Sequence, residues 1–155
     1  ATACRFAAIA AGLGELGLNG VVLTPQYGVR QHFIAIVTDA PLEESPLYSG
    51  PQLCDGCMDC VKRCPVTALD KEESITLMLE GKTFTLGVLD RLRCDWAKRY
   101  GLVAEEGPGY LGAKIDVMPP DKITPDDICQ AMKMKDPIQK HHTCIVEGCI
   151  EACRK

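Results

Sequence analysis

The chain has 155 residues, 46% of them hydrophobic and 25% charged, with a formal net charge of −4. That balance belongs to a globular protein rather than a disordered one. The acidic sign argues against a nucleic-acid partner, which would ask for a basic face, and no apolar run reaches the roughly 18 residues that suggest a membrane span. Aromatic residues make up 5% and cysteines number ten, so the interior must be filled by Ala, Leu, Ile and Val, or by a cofactor.

In chain order, the small-residue run from Arg5 to about Leu16 reads as a closely packing helix, and Asn19-Gly20 as a turn. Val21–Thr24 and then His32–Thr38 read as strands, with Pro25-Gln26-Tyr27-Gly28 between them. On the second strand His32 alternates with Ile34 and Ile36 and is expected to be packed. Pro41 to Pro51 holds three prolines and reads as a linker or extended loop. It places a boundary between a first unit, residues 1–42, and a second, residues 52–155. Residues 74–87 alternate on both sides of Glu80-Gly81-Lys82, the pattern of a β-hairpin. Residues 88–100 read as a helix with Leu89, Leu92 and Trp96 on one face, Trp96 being core. A glycine-rich loop follows over 105–114. Thr124-Pro125-Asp126-Asp127 then opens a helix to about Lys135, with Thr as N-cap, Pro in the first turn and acids at the positive dipole end. The expected fold class is α+β.

Ten cysteines call for disulfides in an oxidising compartment or metal in a reducing one. The first residues, Ala1 to Phe6, lack a basic stretch leading into an unbroken apolar one, so they do not read as a signal peptide. The spacing decides between the two. Cys54, Cys57, Cys60, Cys64 and Pro65 form C-x2-C-x2-C-x3-C-P, the bacterial ferredoxin ligand pattern, in which the fourth cysteine serves the other of two clusters. Three closely spaced thiolates can wrap three corners of one cubane, and Pro65 turns the chain away. Zinc sites use paired knuckles separated by a loop, and disulfides between cysteines three apart are strained. Two [4Fe–4S] clusters would take the net charge to roughly −8 once ion and thiolate charges are counted, favouring a basic redox partner. The second group is Cys144, Cys149 and Cys153. One more ligand is required, and Cys94, Cys129 and Cys4 are the candidates.

Other signals have plainer meanings. Gly12-Leu13-Gly14-Glu15-Leu16-Gly17 has the letters of a dinucleotide fingerprint, but that motif follows a strand and opens a helix, and here the order is reversed. Close packing and a turn account for it. His141-His142 reads as an exposed loop, Glu43-Glu44 and Lys71-Glu72-Glu73 as solvated surface, and spare cysteines as small buried apolar groups.

The segment Ala11 to Gly20, then Thr24-Pro25-Gln26-Tyr27-Gly28, then Val37-Thr38-Asp39-Ala40-Pro41-Leu42 and the cysteine run, resembles the epoxyqueuosine reductases and reductive dehalogenases. The resemblance is specific over residues 5–69 and looser afterwards. It implies a nitroreductase-like, corrinoid-side segment over 1–42, followed by a two-[4Fe–4S] ferredoxin-like domain over 52–155. It further implies that Cys54, Cys57, Cys60 and Cys153 bind the cluster nearer the corrinoid, and that Cys64, Cys94, Cys144 and Cys149 bind the distal one. Gly12, Gly14 and Tyr27 would lie on the corrinoid side. The spacing from Cys144 to Cys149 is wider than the family's, and Arg154 stands where the family has proline. The family's corrinoid-binding and substrate-acid residues lie largely upstream of the matched region, so weak or no cobalamin binding and no activity are expected of this chain alone, and no catalytic residue is assigned. The expected function is electron transfer in the cytoplasm. The partner would be a redox protein, namely a ferredoxin, flavodoxin or corrinoid protein. The alternative function is that of a subunit or fragment of a cobalamin-dependent reductase whose substrate site another chain completes.

Overall fold

The computed structural model describes residues 2–103, 115–134 and 148–153. Its first element is α1 (Thr2–Ala10), which buries Ala8 and Ile9 against Leu16, Val22 and Phe84. The helix expected to run to Leu16 stops six residues earlier. Gly12 sits at φ 71°, and a Cβ on Gly14 would lie 1.9 Å from the Leu23 carbonyl oxygen. The glycines let the backbone turn sharply and come within contact of its own next strand, which a continuing helix would forbid. The chain then pairs β1 (Glu15–Leu16) with β2 (Val22–Leu23), antiparallel, across the Asn19-Gly20 turn, where the Asn19 Oδ1 accepts from the Val21 N–H at 3.1 Å.

The strand expected over His32–Thr38 is absent. This segment carries no regular secondary structure, and Ile34, Ile36 and Val37 are 84%, 80% and 99% exposed. His32 is exposed rather than packed, while Phe33 leans on the α1 core. Alternation fixes which faces a strand would have but supplies no partner, and a strand is stable only when its backbone groups are bonded to a neighbour. The stretch from Pro41 to Pro51 is free of helix and strand, as its prolines suggest.

The hairpin is longer than its clearest alternation. β3 (Leu69–Leu79) pairs with β4 (Lys82–Leu89) from Leu79↔Lys82 to Leu69↔Leu89, with an irregularity between Leu69 and Ser74. Glu80 (φ 48°) and Gly81 (φ 79°) form the two-residue connection. Positive φ at both positions is the geometry whose twist matches that of the flanking strands. At the irregularity the Asp70 carboxylate accepts from the Glu72 and Glu73 N–H groups at 2.7 and 2.8 Å, and these bonds hold its pKa below the ordinary carboxylate range. Phe84 faces α1, and the Gly87 N–H bonds the Leu18 carbonyl at 2.8 Å, so the hairpin packs on the N-terminal elements.

Among the described residues four further helices follow: α2 (Asp59–Lys62), α3 (Arg91–Lys98), α4 (Pro125–Lys133) and α5 (Gly148–Glu151). Asp90 caps α3 by accepting from the Arg93 N–H at 3.0 Å. Trp96 is 2% exposed and packs with Val66, Ala68, Ala97, Leu102, Val103, Ile123 and Ala131 in a second core. Leu92, expected on the same face, is instead largely exposed; α3 buries its Trp96–Ala97 side. α4 starts as expected, with Thr124 as N-cap and Pro in the first turn, and Asp127 reciprocates to complete a capping box. The architecture is α+β, two small cores joined through the hairpin. The glycine-rich loop at 105–114 and the histidine pair at 141–142 lie outside the described residues, as does the expected helix end at Lys135.

Candidate metal centre

The cysteine run owes its shape to two left-handed residues. Gly56 (φ 70°) and Met58 (φ 63°) curl the backbone between Cys54 and Cys60. Changes of backbone hand of this kind make concavities lined by N–H groups, a common setting for anions and iron–sulfur sites. Met58 is strained in this region and is held there because its carbonyl accepts from Val61 and Lys62 at 3.1 and 3.0 Å, starting α2. The Asp55 carboxylate accepts from the Cys57 N–H at 3.2 Å, fixing the preceding turn. Helix α2 ends at Lys62, before the residue that Pro65 constrains.

Cys54, Cys57 and Cys60 line one cavity, and Cys153, about ninety residues away in sequence, lines the same one. The partly open cavity is also lined by Gly17, Leu18 and Asn19 of the β1–β2 turn and by Leu23 of β2. Burial pushes the Cys60 thiol above its ordinary pKa; the neighbouring Cys54, Cys57 and Cys153 sulfurs add to the rise against a lowering by the Val61 N–H. Close thiolates oppose one another's ionisation, a cost that a bound cationic group offsets. Among the described residues no three His, Cys, Asp or Glu side chains converge as ligands of a single ion would. The ligands of a cubane stand at separate corners and do not meet at a point. Cys57 is exposed, and Cys54, Cys60 and Cys153 are half-buried.

The two cysteine groups share a local plan. Cys60 is the second residue of α2 and Cys149 the second residue of α5, each a four-residue helix. Cys64 follows the first helix by two residues and Cys153 the second, and each donates its N–H to the carbonyl three residues back, Val61 at 3.3 Å and Ile150 at 3.1 Å. The helices pack together, with Arg63 and Glu151 3.9 Å apart. Cys64 and Cys94 both border the Trp96 core, and the Cys64 sulfur accepts from the Ala68 N–H at 3.3 Å. Cys144 lies outside the described residues.

Several side chains beside the site carry no motif. Glu15 is buried; one carboxylate oxygen accepts from the Leu53 N–H at 2.9 Å and the other meets Lys82 Nζ at 2.7 Å. Lys82 also donates to the Tyr48 carbonyl at 2.7 Å and lies over the Tyr48 and Phe84 rings. Asn19 reaches the Cys149 carbonyl at 3.5 Å. Arg93 donates to the Val66 and Pro120 carbonyls at 2.9 and 3.1 Å, tying the start of α3 to the chain just after Cys64. The only hint in the sequence is an acid set among glycines and leucines at Glu15; nothing marks Lys82 as its partner.

The positions expected on the corrinoid side are partly taken up by the chain itself. A Cβ on Gly12 would meet the Pro46 carbonyl oxygen at 2.0 Å, Gly14 abuts Leu23, and Tyr27 is an exposed turn residue. Of the spare cysteines, Cys4 is half-buried, but Cys129 is exposed rather than buried. The buried face of α4 carries Ile128, Ala131 and Met132, and Cys129 falls off that stripe. Among the described residues no helix is long and apolar enough to cross a membrane.

The chain is similar to reductases of two kinds. It is 32% identical over 68 residues to a tetrachloroethene reductive dehalogenase of Desulfitobacterium hafniense, covering 43% of this chain and 12% of that protein. It is 37% identical over 59 residues to the epoxyqueuosine reductase of Listeria monocytogenes, covering 38% and 15%. A longer match, 29% over 116 residues, joins it to the tetrachloroethene reductive dehalogenase of Sulfurospirillum multivorans, covering 72% and 22%. The chain thus spans between about a tenth and a quarter of the length of these relatives. No family model matches it, and no solved structure matches it. The resemblance read from the glycine segment and the cysteine run therefore holds as similarity to both groups of reductases.

Proposed function

We propose that this chain is the electron-transfer module of a reductase and holds two [4Fe–4S] clusters. The observation that carries this reading is the meeting of Cys153 with Cys54, Cys57 and Cys60 on one cavity, a four-thiol donor set drawn from both ends of the domain. When bound, such clusters take up and release single electrons. Cys54, Cys57, Cys60 and Cys153 would hold one. Cys64, Cys94, Cys144 and Cys149 would hold the other, and the shared plan of α2 and α5 supports this exchange of fourth ligands. The Ala68 N–H stabilises negative charge on the Cys64 sulfur. The β1–β2 turn shields one side of the first cavity from water, while Cys57 offers the solvent-facing corner. The redox partner would be a ferredoxin, a flavodoxin or a corrinoid protein.

Similarity to reductive dehalogenases and epoxyqueuosine reductases supports a second reading, that of a reductase portion whose substrate site is completed by another polypeptide. Anaerobic reconstitution separates the outcomes. The module reading expects about eight irons and eight sulfides per chain, as two four-iron clusters require, and no tight uptake of cobalamin in equilibrium dialysis. Four irons in a folded protein would remove the second cluster, and tight cobalamin binding by the isolated chain would favour the second reading.

A further inference from the structure

The stretch between Gln31 and Asp59 contains no helix or strand, yet it must deliver Cys54 to a defined place on the cavity. Side chains rather than ladder bonds hold it there. Just before Cys54, the Leu53 N–H donates to a Glu15 oxygen at 2.9 Å. Five residues before Leu53, the Tyr48 carbonyl accepts from Lys82 at 2.7 Å. Glu15 and Lys82 are themselves paired at 2.7 Å, with side chains 11% and 28% exposed. Three remote pieces of chain, β1, the loop and β4, thus converge on one shielded ion pair.

A buried ion pair is weak support for stability, because desolvation offsets much of its attraction; its better-attested use is to specify register. Here the shared carboxylate has one oxygen for the cation and one for a backbone amide beside a candidate ligand. We infer that Glu15 is a positioning residue for Cys54, holding the loop so that this thiol faces Cys57, Cys60 and Cys153, with Lys82 aiming the carboxylate. The inference rests on the cavity being the cluster site, but its geometric content can be read without iron.

The test uses the full chain, reduced and iron-free, and then reconstituted. Alkylation by iodoacetamide is followed at each cysteine by peptide mass spectrometry, with exposed Cys129 as internal standard. In Glu15→Ala, Cys54 should react about tenfold faster relative to Cys129, the scale set by losing a charge-assisted hydrogen bond. Cys60 and Cys153 should change far less. Glu15→Gln has one amide oxygen for two donors; with that oxygen on the Leu53 N–H, it should raise the Cys54 rate less than Glu15→Ala does. After reconstitution, Glu15→Ala should lose iron to a chelator faster than Glu15→Gln. Should Glu15→Ala not fold, amide exchange in the wild-type chain still decides, because the Leu53 N–H must then be protected well beyond a free peptide amide. An unprotected Leu53 amide, equal Cys54 rates in Glu15→Ala and wild type, or a uniform rise at all four cavity cysteines would each overturn the inference. If the Cys54 rates split as expected but the wild type takes up no iron, the positioning role stands and the cluster reading falls.

Discussion

Trp96 shows how one residue ties a core to two candidate ligands. Its ring fills the second core, its Nε1 donates to the Val117 carbonyl at 2.6 Å, and Cys64 and Cys94 border the same core. Trp96→Ala should lower stability by about 3–5 kcal/mol, the usual scale for removing a large buried aromatic, measured by chemical denaturation of anaerobically purified protein. Asp127 makes a different prediction. The Thr124 hydroxyl and N–H bonds hold its carboxyl below the ordinary range. A depressed folded-state pKa contributes stability above the unfolded value and loses it as pH falls through the folded one. The first turn of α4 should therefore stay capped at neutral pH and fray only below the normal carboxylate range. Acid titration followed by amide shifts over 124–128 checks this, and Asp127→Asn should abolish the transition. Residues of this kind were legible in advance, since Thr-Pro-Asp-Asp and a lone Trp on a helix carry their physics locally. The Glu15–Lys82 pair was not, because nothing in the sequence marks Lys82 as the partner of Glu15.

Among the elements, the hairpin was readable because its alternation, its Glu-Gly connection and a real partner strand agree. The segment 32–38 has equally good alternation and no partner, and it is not a strand. Periodicity says which side chains would share a face, while pairing depends on what the rest of the molecule places alongside. The overlong helix at the start failed for a related reason. The letters of residues 11–16 do not forbid helix; the left-handed turn at Gly12 and the approach of Gly14 to the Leu23 carbonyl end it. Gly14→Ala should thus be destabilising by at least about 1–3 kcal/mol, the range for forcing extra atoms into a packed site. Here the clash is with backbone that cannot swing aside, so a shift in urea midpoint larger than that of Gly81→Ala control protein is not expected to come from φ alone: Gly81 has a left-handed φ and open space around its Cβ position. Equal midpoints for the two variants would mean that the close approach matters no more than the turn.

At the scale of the whole molecule, the cysteine run was the most legible feature, since three cysteines within seven residues encode local geometry. The long-range member of the cavity lining is Cys153, which α5 carries as it packs against α2. That contact is long-range, and the sequence could indicate it only through the repeated C-x3-C spacing. If both clusters are shared between residues near 60 and residues near 150, metal removal should release the C-terminal segment first, because binding free energy in small metal domains is folding free energy. Hydrogen exchange of the chelated protein should then show residues 148–153 losing protection before the hairpin. The central claim is that Cys153 completes the site begun by Cys54, Cys57 and Cys60. The most direct measurement is electron paramagnetic resonance, with iron counts, on reconstituted Cys153→Ala beside wild type. Loss or alteration of one of two reduced four-iron signals, with the other unchanged, is the result expected. Two intact signals and a full iron count in Cys153→Ala would contradict it.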